Sequence, residues 1–136
     1  MSNETLARTF LQAWAADGEP ILDDLADPDI VVSYTHFPDP LRGRHAFRQA
    51  LRKTHDYFPD LAIEAEEVIT CADEAVVRWI YRATHRRGEM FGVQARGARV
   101  EVRGISIYHI EGGRVRKESG VVDNLGLMAQ LQGATG

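Results

Sequence analysis

Residues 99–124 read RVEVRGISIYHIEGGRVRKESGVVDN. Two β-rich runs, Arg99 to Ile110 and Arg114 to Val122, flank Gly112-Gly113. A Gly-Gly pair suits a two-residue type I′ turn, because both central positions need positive φ. The stretch is therefore expected to be a long antiparallel hairpin. With Glu111 opposite Arg114, uninterrupted pairing places Asp123 opposite Val102, Val121 opposite Gly104 and Ser119 opposite Ser106. Directly opposed side chains share a face. One face is then expected to carry Asp123, Val121, Ser119, Val102, Gly104, Ser106 and Tyr108. His109, Ile105 and Ile107 fall on the other. A slip of one residue reverses this assignment.

The sequence before the hairpin supplies the other layers. Leu6, Phe10 and Trp14 recur every fourth residue, which predicts a first helix from a Ser2 or Asn3 cap to about Ala16. Pro20 suits the start of a short helix over Ile21 to Ala26. Ile30 to Thr35 is β-branched and aromatic and reads as a strand. A third helix follows Gly43, with Phe47, Ala50, Leu51 and Thr54 on one side, and closes at Phe58-Pro59-Asp60. Leu61 to Thr70 and Ala75 to Thr84 read as strands, and Met90 to Arg96 as an extended or looping segment. A short helix, Leu125 to Leu131, ends the chain. Helices followed by a run of strands argue an α+β fold: a curved, mostly antiparallel sheet wrapped around N-terminal helices, with a conical pocket inside.

The 136 residues suffice for a single domain, expected over 1–136, and are too few for two ordinary ones. The net charge of -4 gives no electrostatic reason to expect nucleic acid. No apolar run approaches the ~20 residues of a membrane span, and the first residues lack a secretory pattern. Cys71 is the only cysteine. A cytoplasmic location is the expectation. No cysteine pair or close histidine spacing suggests zinc, so no metal and no cofactor are expected. There is no G-x-S-x-G, no G-x-G-x-x-G between strand and helix, and no identifiable carboxylate pair. Cofactor-free acid/base chemistry, or no chemistry, is what remains.

Asp123 is the candidate for that chemistry. Val121, Val122, Leu125 and Leu127 surround it in sequence, and burial raises a carboxyl pKa toward the useful range. Asp123 equally suits the N-cap of the last helix, unless Asn124 caps it instead. On the long strand Trp79, Tyr81 and His85 share one parity and are expected to wall a pocket for a hydrophobic small molecule. His36, just beyond the first strand, is expected at its mouth. Ser106, Tyr108, Ser119 and Val121 complete the expected binding set. Ile105 and Ile107, facing outward, point to a homodimer.

From about Gly43 to Gln132 the chain resembles the SnoaL-like polyketide cyclase family, within the nuclear-transport-factor-2-like cone fold. The resemblance is carried by Gly43-Arg44 and Phe47, Phe58-Pro59-Asp60-Leu61, and Thr84-His85 with Gly88 and Gly92. It continues through Gly104-Ile105-Ser106-Ile107-Tyr108, Gly112-Gly113-Arg114-Val115 and Asp123-Asn124-Leu125-Gly126-Leu127-Met128. It implies a cone-shaped α+β barrel. It also implies that Asp123 is the acid/base of an intramolecular aldol closure without metal or cofactor. Many members carry Trp where this chain has Ser119, and a Pro-rich segment where it reads Val93-Gln94-Ala95-Arg96. Two alternatives stand beside a cyclase: a non-catalytic binding or accessory protein, and a ketosteroid-isomerase-like proton shuttle using Tyr81 or Tyr108.

Overall fold

The computed structural model describes residues 1–133. α1 runs Asn3–Leu11 and is capped by Ser2, whose Oγ accepts from the Thr5 N–H at 3.1 Å. The expected helix to Ala16 ends sooner, tightening into a 3-10 turn over Gln12–Trp14. The reason is a tether: the Ala16 N–H donates to Leu61 O at 3.0 Å, and Gln12 Nε2 donates to Ile63 O at 2.9 Å. α2 spans Ile21–Leu25 and α3 spans Arg44–Tyr57, which buries Phe47 and Leu51.

The strands are β1 (Ala26–Tyr34), β2 (Leu41–Arg42), β3 (Ala62–Cys71), β4 (Glu74–His85), β5 (Glu89–Met90), β6 (Val93–Gln94), β7 (Ala98–Glu111) and β8 (Arg114–Val122), and α4 (Asn124–Leu131) closes the fold. The strands follow the expected order, with β2 and the short β5 and β6 added. The main sheet has the order β2-β1-β8-β7-β4-β3. Only β1 and β8 run parallel; the other neighbours are antiparallel. The sheet is open, with β2 and β3 at its edges, so the expected barrel does not close. α1, α3 and the inner sheet face share one core that includes Phe10, Phe47, Leu51, Val77, Val102 and Tyr108. β5 and β6 form a separate two-stranded hairpin.

The β7–β8 hairpin turns at Gly112 (φ 60°) and Gly113 (φ 75°), as the Gly-Gly pair implies. Its pairing does not stay uninterrupted. Glu111 pairs with Arg114 and Ile110 with Val115, but His109 pairs with Lys117. Arg116 is an extra residue, a β-bulge, and every side chain of β8 beyond it changes face. Its side chain is held outside by Glu111 at 2.6 Å and Asp27 at 3.5 Å. Beyond the bulge Gly104 lies opposite Val122, Ile105 opposite Val121, Ile107 opposite Ser119 and Tyr108 opposite Glu118.

The expected placement of Ser119, Val121 and Asp123 on the pocket face is therefore corrected. Ser119 and Val121 lie on the outer face with Ile105 and Ile107, and Val121 is 47% exposed. Asp123 lies just past the strand end and is exposed. Its Oδ1 accepts from the Gly126 N–H at 2.9 Å and caps α4. Asn is as good a cap as Asp, whereas Ala removes the acceptor. Asp123→Ala is expected to cost about 1 kcal/mol in urea unfolding and Asp123→Asn only a few tenths. Equal losses in the two variants would show that the cap is not what Asp123 contributes.

Candidate functional site

The inner face encloses a cavity of about 400 Å³. Trp79 and Tyr81 of β4 form one wall, with ring centroids 6.0 Å apart and stacked at 25°. Their shared parity was legible because β4 pairs with β7 without interruption. Trp14, Tyr34 and Phe37 form a second wall; Trp14 meets Tyr34 edge-on at 6.1 Å and Phe37 lies 5.5 Å from Tyr34. Ala50, Lys53, Thr54 and Tyr57 border it from α3, and Val122, Asn124 and Leu127 from the chain's last turn of sheet into helix. His36 borders the cavity from beyond the end of β1, its ring 4.8 Å from Phe37.

The other expected pocket residues lie elsewhere. His85 is fully buried, and its Nε2 bonds Gly88 O at 2.9 Å, which fixes the strand end and does not face the cavity. Tyr108 is buried in the core against Phe10, with rings 5.2 Å apart. Ser106 stands behind the wall, not on it. The roles expected of Asp123 and Asn124 are exchanged: Asp123 caps α4, and Asn124 borders the cavity.

Among the described residues the buried carboxyl group is that of Glu118, which the bulge at Arg116 turns inward. It is completely buried. Its Oε2 accepts from Trp14 Nε1 at 3.1 Å and from Tyr34 Oη at 2.5 Å. Tyr34 Oη also lies 2.5 Å from Ser106 Oγ, which accepts from Trp79 Nε1 at 2.9 Å. The polar tips of three wall residues thus converge behind the wall, and their ring faces are left to the cavity. Small residues make this possible. A Cβ on Gly104 would meet Trp79 Cζ2 at 2.4 Å, and one on Gly120 would meet Tyr34 Cε2 at 2.8 Å. The sequence held a signal for Glu118: buried Trp and Tyr need acceptors.

Burial raises the Glu118 pKa to about 7, against the opposing pull of the Tyr34 and Trp14 hydrogen bonds. Burial also raises Tyr34 and Tyr81 well above the usual phenol range, so both remain protonated. His36 is exposed at the cavity mouth, and the partial desolvation of its ring there lowers its pKa, so its imidazole is neutral at neutral pH. Among the described residues no three His, Cys, Asp or Glu side chains are grouped to hold a metal ion. Among the described residues no helix is long and apolar enough to cross a membrane.

The model of the SnoaL-like polyketide cyclase family matches residues 4–131. The chain belongs to this family. Solved structures agree in fold. TsrD from Streptomyces laurentii is 27% identical, with a TM-score of 0.82 over 96% of this chain and 97% of that one. IdmH from Streptomyces antibioticus is 24% identical, with a TM-score of 0.78 over 94% and 96%. A SnoaL-like polyketide cyclase from Agrobacterium tumefaciens is 21% identical, with a TM-score of 0.76 over 96% and 99%. No curated protein matches the sequence.

The Glu118 environment of this SnoaL-like chain makes stability depend on pH. Between the ordinary value near 4.5 and about 7 the folded state binds the proton and the unfolded state does not. Stability therefore falls as pH rises through that window and stays lower above it, by about 3 kcal/mol. Glu118→Gln keeps an acceptor for Trp14 and Tyr34 and does not titrate. Its urea midpoint is expected to gain on the parent between pH 5 and pH 8; parallel profiles would refute the buried proton.

Proposed function

We propose that the chain is a cofactor-independent cyclase or isomerase acting on a polyketide-like or polycyclic carbonyl compound. The observation that carries this reading is an aromatic-walled cavity in a chain of this family. Stacked ring faces suit a flat, apolar ligand. Holding such a chain folded brings two carbonyl carbons within reach of ring closure.

The acid/base in this reading is His36. No Asp or Glu is among the residues bordering the cavity; His36 and Lys53 are. The acid/base role that family resemblance implies for Asp123 draws no support from its place outside the cavity lining, where it caps α4. A neutral imidazole can accept a proton α to a carbonyl. The enolate then attacks a second carbonyl of the same molecule, a C–C bond forms, and the imidazolium returns the proton to the new alkoxide. In an isomerisation the proton returns instead to another carbon. Lys53 and the protonated Tyr81 hydroxyl are the cavity groups suited to the enolate oxygen. Of the two phenols expected to serve a ketosteroid-like shuttle, Tyr108 lies in the core, away from the cavity.

The second reading, a binding or accessory protein, draws on the same exposed Asp123. Solvent-deuterium incorporation into polyketide- and steroid-like ketones, read by mass, separates the two. Exchange supports the enzyme, and binding without exchange supports the binding protein. His36→Gln is expected to slow exchange at least about 100-fold, while Asp123→Asn retains it. In the parent kcat/KM is expected to fall on acidification through the lowered His36 pKa, below 6.5. An inactive but stable Asp123→Asn enzyme would return the role to Asp123.

The hydrophobic ligand has a companion partner in this proposal, a second copy of the chain. Ile105, Ile107 and Val121 are 39%, 40% and 47% exposed and adjoin on the outer sheet face. Light scattering is expected to give a dimer, and Ile107→Asp a monomer that keeps its far-ultraviolet circular dichroism. A monomeric parent would refute the pairing.

A further inference from the structure

Phe91 and Gly92 form the turn between β5 and β6, with φ of 52° and 77°. Two successive positive φ values describe the type I′ geometry that favours Asn-Gly. A bulky side chain with positive φ crowds its own backbone and is an outlier. The ring gains little burial in exchange: it is 47% exposed. The β5–β6 hairpin stands apart from the main sheet, so the ring is not part of that sheet's core. It does border the cavity, beside Met90 of the same hairpin. Among the described residues only one other non-glycine has positive φ. This is Ala72 (φ 52°), exposed in the β3–β4 turn and away from the cavity.

Backbone preference disfavours Phe91, and burial does not explain it. What remains is contact with something that occupies the cavity. We propose that Phe91 is a ligand-contacting residue, an aromatic cover at the solvent end of the cavity that packs on a planar ligand. The inference rests on the cavity being the substrate site, and it says what that site selects: a flat, multi-ring molecule long enough to reach from the Trp79–Tyr81 pair to the hairpin. A short or acyclic ligand would leave the ring in water.

The proposal predicts effects of opposite sign from one substitution. Phe91→Asn supplies the residue the turn prefers and is expected to raise Tm by roughly 3 °C. The same change is expected to weaken binding of anthraquinone-2-carboxylate about tenfold, read by quenching of Trp14 and Trp79. Phe91→Tyr keeps the ring and is expected to retain affinity. Ala72→Asn is expected to raise Tm without changing affinity, because its turn is remote. Tyr81→Leu reports on the cavity itself. If Tyr81→Leu weakens binding and Phe91→Asn does not, the role of Phe91 is overturned while the cavity reading stands. If the parent shows no saturable quenching, both fall. A lower Tm in Phe91→Asn shows that the turn does not disfavour Phe, and overturns the proposal from the other side.

Discussion

The carboxyl group of Glu118 joins the walls of the cavity to one another. It accepts from Trp14, which follows α1, and from Tyr34 on β1; Tyr34 meets Ser106 on β7, which receives Trp79 from β4. Four segments distant in sequence are fixed by one cluster. Tryptophan and tyrosine can present apolar ring faces to a cavity only when their N–H and O–H groups are satisfied elsewhere. Here the N–H groups of Trp14 and Trp79 and the O–H of Tyr34 point behind the wall. Gly104 and Gly120 supply the space in which the Trp79 and Tyr34 rings lie. Remove the cluster and the cavity loses both its shape and its apolar character.

Most of the fold was legible in the sequence because most of it obeys local rules. The helix stripe of Leu6 and Phe10, the Gly112-Gly113 turn and the alternation of Trp79 and Tyr81 each have a physical cause confined to a few residues. The site was less legible because it hangs on one bulge. Arg116 carries no mark that separates it from an ordinary strand residue; its displacement is fixed by partners at Glu111 and Asp27. That single insertion turned Ser119 and Val121 outward and Glu118 inward. The burial expected of Asp123 falls to Glu118 instead, since Asp123 is exposed and Glu118 is not. The pair Asp123-Asn124 reads as a cap with one member to spare, but which member caps depends on the tertiary path.

The distribution of charge follows from the same geometry. Twenty acidic residues outnumber sixteen Lys and Arg, yet none of the acids borders the cavity. Arg48 and Arg52 of α3 are paired with Glu19, while Lys53 on that helix borders the cavity. A carboxylate on the lining would repel an enolate as it forms, and Lys53 would attract it. The one carboxyl close behind the wall holds its proton up to about pH 7, so it adds little negative charge there below that point. Enolate-forming chemistry and the binding of an electron-rich aromatic ketone both benefit from this arrangement.

Two residues of this chain are poor choices for folding alone. Glu118 carries an ionisable group into full burial, and Phe91 places a large ring at a positive φ and half in water. Asn in place of the second would suit its turn better, and the first is held in the interior by what it accepts from Trp14 and Tyr34. Both adjoin the same cavity, one from behind its wall and one at its open end. Local rules broken without local benefit mark functional sites when they cluster. The cavity is where these two meet; Ala72 in the exposed β3–β4 turn breaks a backbone preference alone, and the apolar outer sheet face is the surface proposed for pairing. The cavity is therefore the part of this fold whose sequence answers to something other than the fold.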